Sequence, residues 1–590
     1  MMNNNAAARY RIISMALAGF IRFSSTVIGL TCAVFIGACQ PSSSVPTEPE
    51  VQLSIEVIES QADARYESGA HAEAGALYED IANREDAPKW ERRSAAYNAA
   101  CAYALSGGQS DKALDMLEQA VALGFIDTYS LEQDKHLESL RETQRWATIV
   151  ESVAQASAIE ERRWGAVSLR TPYEENLPVE DKLAGLSLLW SEAKYNFANF
   201  DLVPELDWDA EYRAMIPRVM ASENTYEYYR LLQSFVAKLE DGHANVYFPR
   251  VPEIQSDLSH VPAISYKWIE DRLILDYVAG QEFEAAGVTR GDEIIAVDGQ
   301  PIQEFADAER RPFVSGSNKA YVDSVVYSWR LLTGPQGPLK FTIKTQAGDT
   351  VTVESSRPDW DKWTALTEDR EPYAPNFRWK MLPENIAYVE LNSFGNTDAS
   401  QGFADSFEDI SKADGIIFDV RNNGGGSSSY GYNVLSRLTQ EPFAVSSWKT
   451  MNYRPAFRAW GYQTDTYEST GNTELPDPDQ YYAGPVAVLS GTGTFSAAED
   501  FLVAFDVMDR GPIIGEASGG STGQPLGFYL PGGGSARITT KRDTYPDGSD
   551  FVGDGVQPDK LAPPTVEAFI ERRDLALEEA RRYVSGLDER

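Results

Sequence analysis

The chain has 590 residues, more than a single hydrophobic core accommodates, so several domains are expected. Its 89 acidic residues against 52 basic ones give a net charge of -37, which repels a phosphate backbone and argues against nucleic-acid binding. Three cysteines and four scattered histidines (His71, His136, His243, His260) exclude a disulfide framework and show no metal-ligand spacing.

Residues 1–38 read as an export signal. Arg9, Arg11 and Arg22 form a basic front, and Val27 to Ala38 is an apolar run of about a dozen residues, shorter than the roughly 20 that cross a bilayer. The run ends in Ile36-Gly37-Ala38-Cys39, small residues before a cysteine. This resembles the bacterial lipoprotein signal, which implies that Cys39 is lipidated and becomes the mature N-terminus; the plainer alternative is an ordinary signal peptide cut near Ala38. Residues 39–50 then form a polar tether, and Gln40 after the cysteine points to the outer membrane of a Gram-negative host, facing the periplasm or the cell surface.

From 51 to 160 the pattern is helical and repeating. Ala64, Tyr66, Gly69, Ala74 and Tyr78 are echoed by Tyr97, Ala100, Gly107, Ala113 and Ala120, small residues that let paired helices approach. The stretch resembles tetratricopeptide repeats, which implies a protein partner or a scaffold role. Residues 165–255 read as a helical domain carrying His243, closed by Asp241-Gly242-His243 and a strand-like Asn245-Val246-Tyr247-Phe248. Residues 258–356 turn to short β runs; Gly291-Asp292-Glu293-Ile294-Ile295-Ala296-Val297-Asp298-Gly299 resembles a PDZ domain, which implies binding of extended peptides at a sheet edge. Residues 375–575 alternate apolar strands (Ile386 to Leu391, Ile416 to Val420, Val486 to Leu489, Ile513-Ile514) with helices, an α/β core with a largely parallel sheet. The whole is thus a multidomain α/β protein with an all-α N-terminal repeat, a helical layer and a PDZ-like β domain.

Three elements carry chemistry. Ser496 in Gly493-Thr494-Phe495-Ser496-Ala497-Ala498-Glu499 sits where a buried strand turns into a helix, so its hydroxyl projects and helix N–H groups lie nearby; a mere helix cap is the alternative. Asp419-Val420-Arg421-Asn422-Asn423 runs into Gly424-Gly425-Gly426, a backbone free to approach a ligand, with no GxxxxGK[ST] phosphate cradle. His243 is a candidate base, since His71 and His136 fall in the helical repeats.

In this order the three elements resemble the C-terminal processing peptidase superfamily of serine peptidases (S41), over roughly Pro172 to Pro564. The resemblance implies Ser496 as nucleophile, Gly425 and Ala497 N–H groups as oxyanion donors, a polypeptide substrate, and no metal or organic cofactor. One branch uses a lysine base after the Gly-rich turn, but Gly515 to Pro525 holds no lysine. The branch resembling the tricorn core and retinoid-binding repeats uses an Asp-Gly-His histidine, here His243. That branch carries a glutamate before the final Gly-Val-x-Pro-Asp, where this chain has Val552; Asp550 or Asp554 on the same strand face, or water, is left to orient the imidazole. The rival reading is a non-catalytic peptide-binding or scaffold protein.

Overall fold

The computed structural model describes residues 55–586 except 369, 371–373 and 470; the signal, Cys39 and the tether lie outside the described residues. The chain divides into two compact units, up to Val167 and from Ser168 onward.

The first unit is helical. Helices Ile55–Glu67, His71–Asn83, Lys89–Leu105 and Ser110–Ala122 pack in sequence. Alanines make this possible: Ala74, Ala82, Ala96, Ala99, Ala100, Ala113 and Ala120 are fully buried between helix axes. At Gly75 a Cβ would fall 2.7 Å from the Tyr103 ring, so that crossing admits no side chain. The turns bend through Gly69 and Gly107 at φ +79° and +70°, a region glycine enters without cost.

In the second unit, helices Val179–Asn196, Trp208–Ala221 and Thr225–Val236 bury an aromatic core in which Trp208 stacks on Phe235. Residues 264–357 form an antiparallel sheet ordered Ile264–Ile269, Arg272–Val278, Glu293–Val297, Gly337–Lys344, Thr350–Arg357. The central sheet runs Lys560–Leu561, Ile513–Gly515, Val486–Ser490, Gly415–Asp419, Ile386–Leu391, Phe377–Leu382. All its pairings are parallel except the edge strand Phe377–Leu382. Strands Ile386–Leu391, Gly415–Asp419 and Val486–Ser490 are buried along their whole length, as a sheet covered on both faces requires. Helix Ala497–Val507 lies on one face with Phe501 and Phe505; helix Leu575–Val584 covers the other with Ala576, Ala580 and Val584. The carboxyl ends of the central strands therefore open at one rim, where an α/β sheet presents its loops to a ligand.

Candidate active site

The strand Val486–Ser490 runs into a turn that Thr494 fixes: its hydroxyl donates to the Val420 carbonyl at 2.9 Å and accepts from Gly491 N–H. The Phe495 N–H donates to the Asn423 carbonyl, tying this turn to the glycine loop. Ser496 follows with φ +59° and ψ -126°, backbone angles that cost a β-carbon-bearing residue of order 1–3 kcal/mol and persist only where the surroundings enforce them. The enforcement is visible. Ser496 N–H donates to the Glu499 carboxylate at 2.9 Å, and that carboxylate also accepts from Ser518 Oγ and the N–H groups of Gly520 and Ser521. Glu499 thereby pins residues 518–521 beside Ser496.

Ser496 Oγ lies 3.0 Å from His243 Nε2. The imidazole arrives on a tight turn after Leu239, with Glu240 in the left-handed region (φ +49°) and the Asp241 carboxylate accepting His243 N–H at 2.7 Å. Gly242 is obligatory there, because a Cβ would sit 2.7 Å from the Phe495 ring and 3.2 Å from Ser521 Cβ. Phe495 stacks on His243 at 4.6 Å between centroids, and Tyr321 stacks on Phe495 at 4.9 Å. A cleft of about 600 Å³ opens over Ser496 and His243, walled by Gly424 to Gly426, Tyr321, Gln524 and Arg537.

Residues 385–561, which hold Ser496 and the glycine loop, match the family model described as peptidase family S41. That segment is similar to that family. The chain is 25% identical over 299 residues to the chloroplastic C-terminal processing peptidase of Tetradesmus obliquus, covering 50% of this chain and 58% of the relative. It is 22% identical over 402 residues to a tricorn protease homolog of Streptomyces coelicolor, covering 65% of this chain and 30% of that one. The chain thus spans less than two thirds of the curated relatives it matches. The crystal structure of mature CPAF superposes with a TM-score of 0.55 at 18% identity, covering 69% of this chain and 97% of that one, a likeness of fold.

The two carboxylates offered in place of the family glutamate, Asp550 and Asp554, are placed otherwise than expected. Asp550 does not reach the imidazole: its carboxylate pairs with Lys449 at 2.8 Å and lies 3.8 Å from Arg542, in a position 41% exposed. Residues 552–554 form a turn rather than a strand, Val552 is buried in the apolar core, and Asp554 is exposed. The other nitrogen of the ring meets Ser521 instead, with Nδ1 2.9 Å from its hydroxyl. That hydroxyl donates to Asp241 Oδ1 at 3.3 Å. Asp241 is 1% exposed and accepts further hydrogen bonds from Thr539 Oγ1 and Asn199 Nδ2, both at 2.7 Å. Neither Ser521 nor Asp241 was expected in this role; the only sequence signal was that both fall within the stretches already singled out.

Gly425 stands against Ser496, where a Cβ would fall 2.7 Å from Ser496 Cβ and from the Phe495 carbonyl oxygen. Its N–H, however, donates to Asn423 Oδ1 at 2.9 Å. The Ala497 N–H, at the first position of its helix, has no acceptor among the described residues. Lys541, whose charge acts on His243, is engaged with Asp543 at 2.6 Å.

Burial dominates the electrostatics. It drives the His243 pKa down to about 3, helped by the nearby charges of Arg537 and Lys541, so the ring is neutral and able to accept a proton. Burial pushes Glu499 up to about 8, against the pull of its four hydrogen-bond donors.

Proposed function

We propose that this chain is a serine-type peptidase that hydrolyses peptide bonds of extended polypeptides through an acyl-enzyme on Ser496. The observation that carries the reading is the Ser496 Oγ to His243 Nε2 contact of 3.0 Å, on a strained serine that faces an open cleft. His243 Nε2 takes the hydroxyl proton as Oγ attacks the carbonyl, then gives it to the leaving amine; water repeats the cycle on the ester. The free Ala497 N–H is one oxyanion donor, and the Gly425 N–H, shared with Asn423, is the second. For Nε2 to accept, Nδ1 must carry the ring hydrogen. That hydrogen points to Ser521 Oγ, whose own hydrogen goes to Asp241. A hydroxyl-bridged carboxylate therefore fixes the tautomer and stabilises the imidazolium, in place of the family glutamate. With the pair aligned, no observation favours the non-catalytic scaffold.

The sequence supports export and a lipid anchor at Cys39, holding the enzyme at the outer membrane, and the helical unit is the surface offered to a protein partner. Turnover of an unfolded protein substrate by wild type and by Ser496→Ala tests the reading. Loss of hydrolysis with an unchanged melting temperature is expected; retained hydrolysis overturns it.

A further inference from the structure

Arg537 is the one fully charged side chain lining the cleft, and it is unusual in this chain. Against an excess of 37 acidic residues, no carboxylate among the described residues lies within ion-pairing distance of it. Its Nε is buried and finds no acceptor among the described residues. Its Nη2 reaches the Gly242 carbonyl only at 3.5 Å, at the edge of a hydrogen bond. The guanidinium sits 5.8 Å from the Tyr247 ring, on the strand Ser535–Thr539 that pairs with Asn245–Tyr247, so its position is set by the same strand pair that follows His243.

A guanidinium presents parallel N–H donors in a rigid fork that matches a carboxylate, and a buried donor without an acceptor is costly. The arginine flanks Gly242 and His243, and the histidine is the group that hands a proton to the leaving amine. A ligand engaging Arg537 thus lies on the leaving-group side of the scissile bond.

We propose that Arg537 is a carboxylate-recognition site for the part of the substrate that leaves. The carboxylate is either the C-terminus of a short leaving fragment or an acidic side chain just after the scissile bond. This inference rests on the peptidase reading and deepens it, by naming the substrate feature that selects the bond.

Two peptide pairs separate the sources: one peptide with a free or an amidated C-terminus, and one amidated peptide with Glu or Gln after the cleaved bond. Affinity is read by fluorescence anisotropy on the Ser496→Ala protein, and kcat/KM on the protein with Ser496 intact, each with Arg537, Arg537→Gln and Arg537→Lys. The carboxylate member of at least one pair is expected to be favoured about 10-fold or more. Arg537→Gln should bring the ratio to near one, and Arg537→Lys should keep part of it. A ratio near one with Arg537 present, or one that survives Arg537→Gln, overturns the proposal and leaves the peptidase reading standing. Selective binding without any cleavage overturns the peptidase reading and leaves the site. Melting temperatures confirm that the variants are folded.

Discussion

Replacing Asp241 with asparagine keeps the side chain's shape and removes its charge. With Nδ1 2.9 Å from Ser521 Oγ and that oxygen 3.3 Å from Asp241 Oδ1, a tetrahedral hydroxyl places carboxylate and ring roughly 5 Å apart. At an effective dielectric of about 20, a unit charge at roughly 5 Å stabilises the imidazolium by about 3 kcal/mol. That stabilisation is present in the transition state and absent from the neutral ground state, so Asp241→Asn should lower kcat about a hundredfold and leave KM nearly unchanged. Some stability is lost as well. The carboxylate accepts from His243 N–H, Ser521, Thr539 and Asn199, and an amide cannot accept from all four. Ser521→Ala should cost a similar factor, because it strands the buried Nδ1–H and frees the ring to adopt the wrong tautomer. Asp550→Asn should leave kcat intact, since its partly exposed pairing with Lys449 is worth about 1 kcal/mol or less. The assay is steady-state kinetics on a chromogenic peptide, with the ¹⁵N shifts of His243 reporting the tautomer. Full kcat in both Asp241→Asn and Ser521→Ala, or a hundredfold loss in Asp550→Asn, would refute the hydroxyl-bridged arrangement.

The low His243 pKa, about 3 by burial and then by Arg537 and Lys541, places the acid limb of kcat/KM well below pH 6; half-loss near pH 6.5 would contradict it. The same shift sets the sign for stability. Above the unfolded value of about 6.5 the neutral ring costs nothing extra, and as pH falls from about 6.5 toward 3 the unfolded chain gains the proton first. Wild type should therefore lose melting temperature more steeply than His243→Gln over that interval; parallel slopes would count against it. At the other end of the chain, radiolabelled palmitate should enter the wild type and not Cys39→Ser. Incorporation by both, or by neither, rejects the lipid anchor.

Ser496 and His243 are legible as candidates because each is announced locally: Ser496 by a buried strand that breaks at Gly491 and Gly493, His243 by the glycine that must precede it. The buried strands Ile386–Leu391 and Val486–Ser490 were legible as uninterrupted apolar runs. The orienting acid was not. The period-2 pattern near Val552 predicts extended backbone, whereas residues 552–554 turn, and Asp550 is drawn away by Lys449. The carboxylate that the structure places there, Asp241, sits two residues before His243 and reaches its ring through Ser521, 278 residues away from His243 in sequence. No local pattern marks that approach, because Glu499 creates it by gathering the amides of Gly520 and Ser521. The partner of the Gly425 amide is equally hidden in the sequence: Asn423, fully buried, turns its side-chain oxygen onto it.

The central claim is that Ser496 is a nucleophile activated by His243, and active-site labelling tests it most directly. A fluorophosphonate probe applied to the folded protein, followed by peptide mass mapping, should place a single adduct on Ser496. The adduct should be absent from Ser496→Ala, reduced by orders of magnitude in His243→Ala, and undiminished in a Lys541→Ala variant. An adduct elsewhere, no adduct on the wild type, or labelling of Ser496 that persists without His243 would contradict the account.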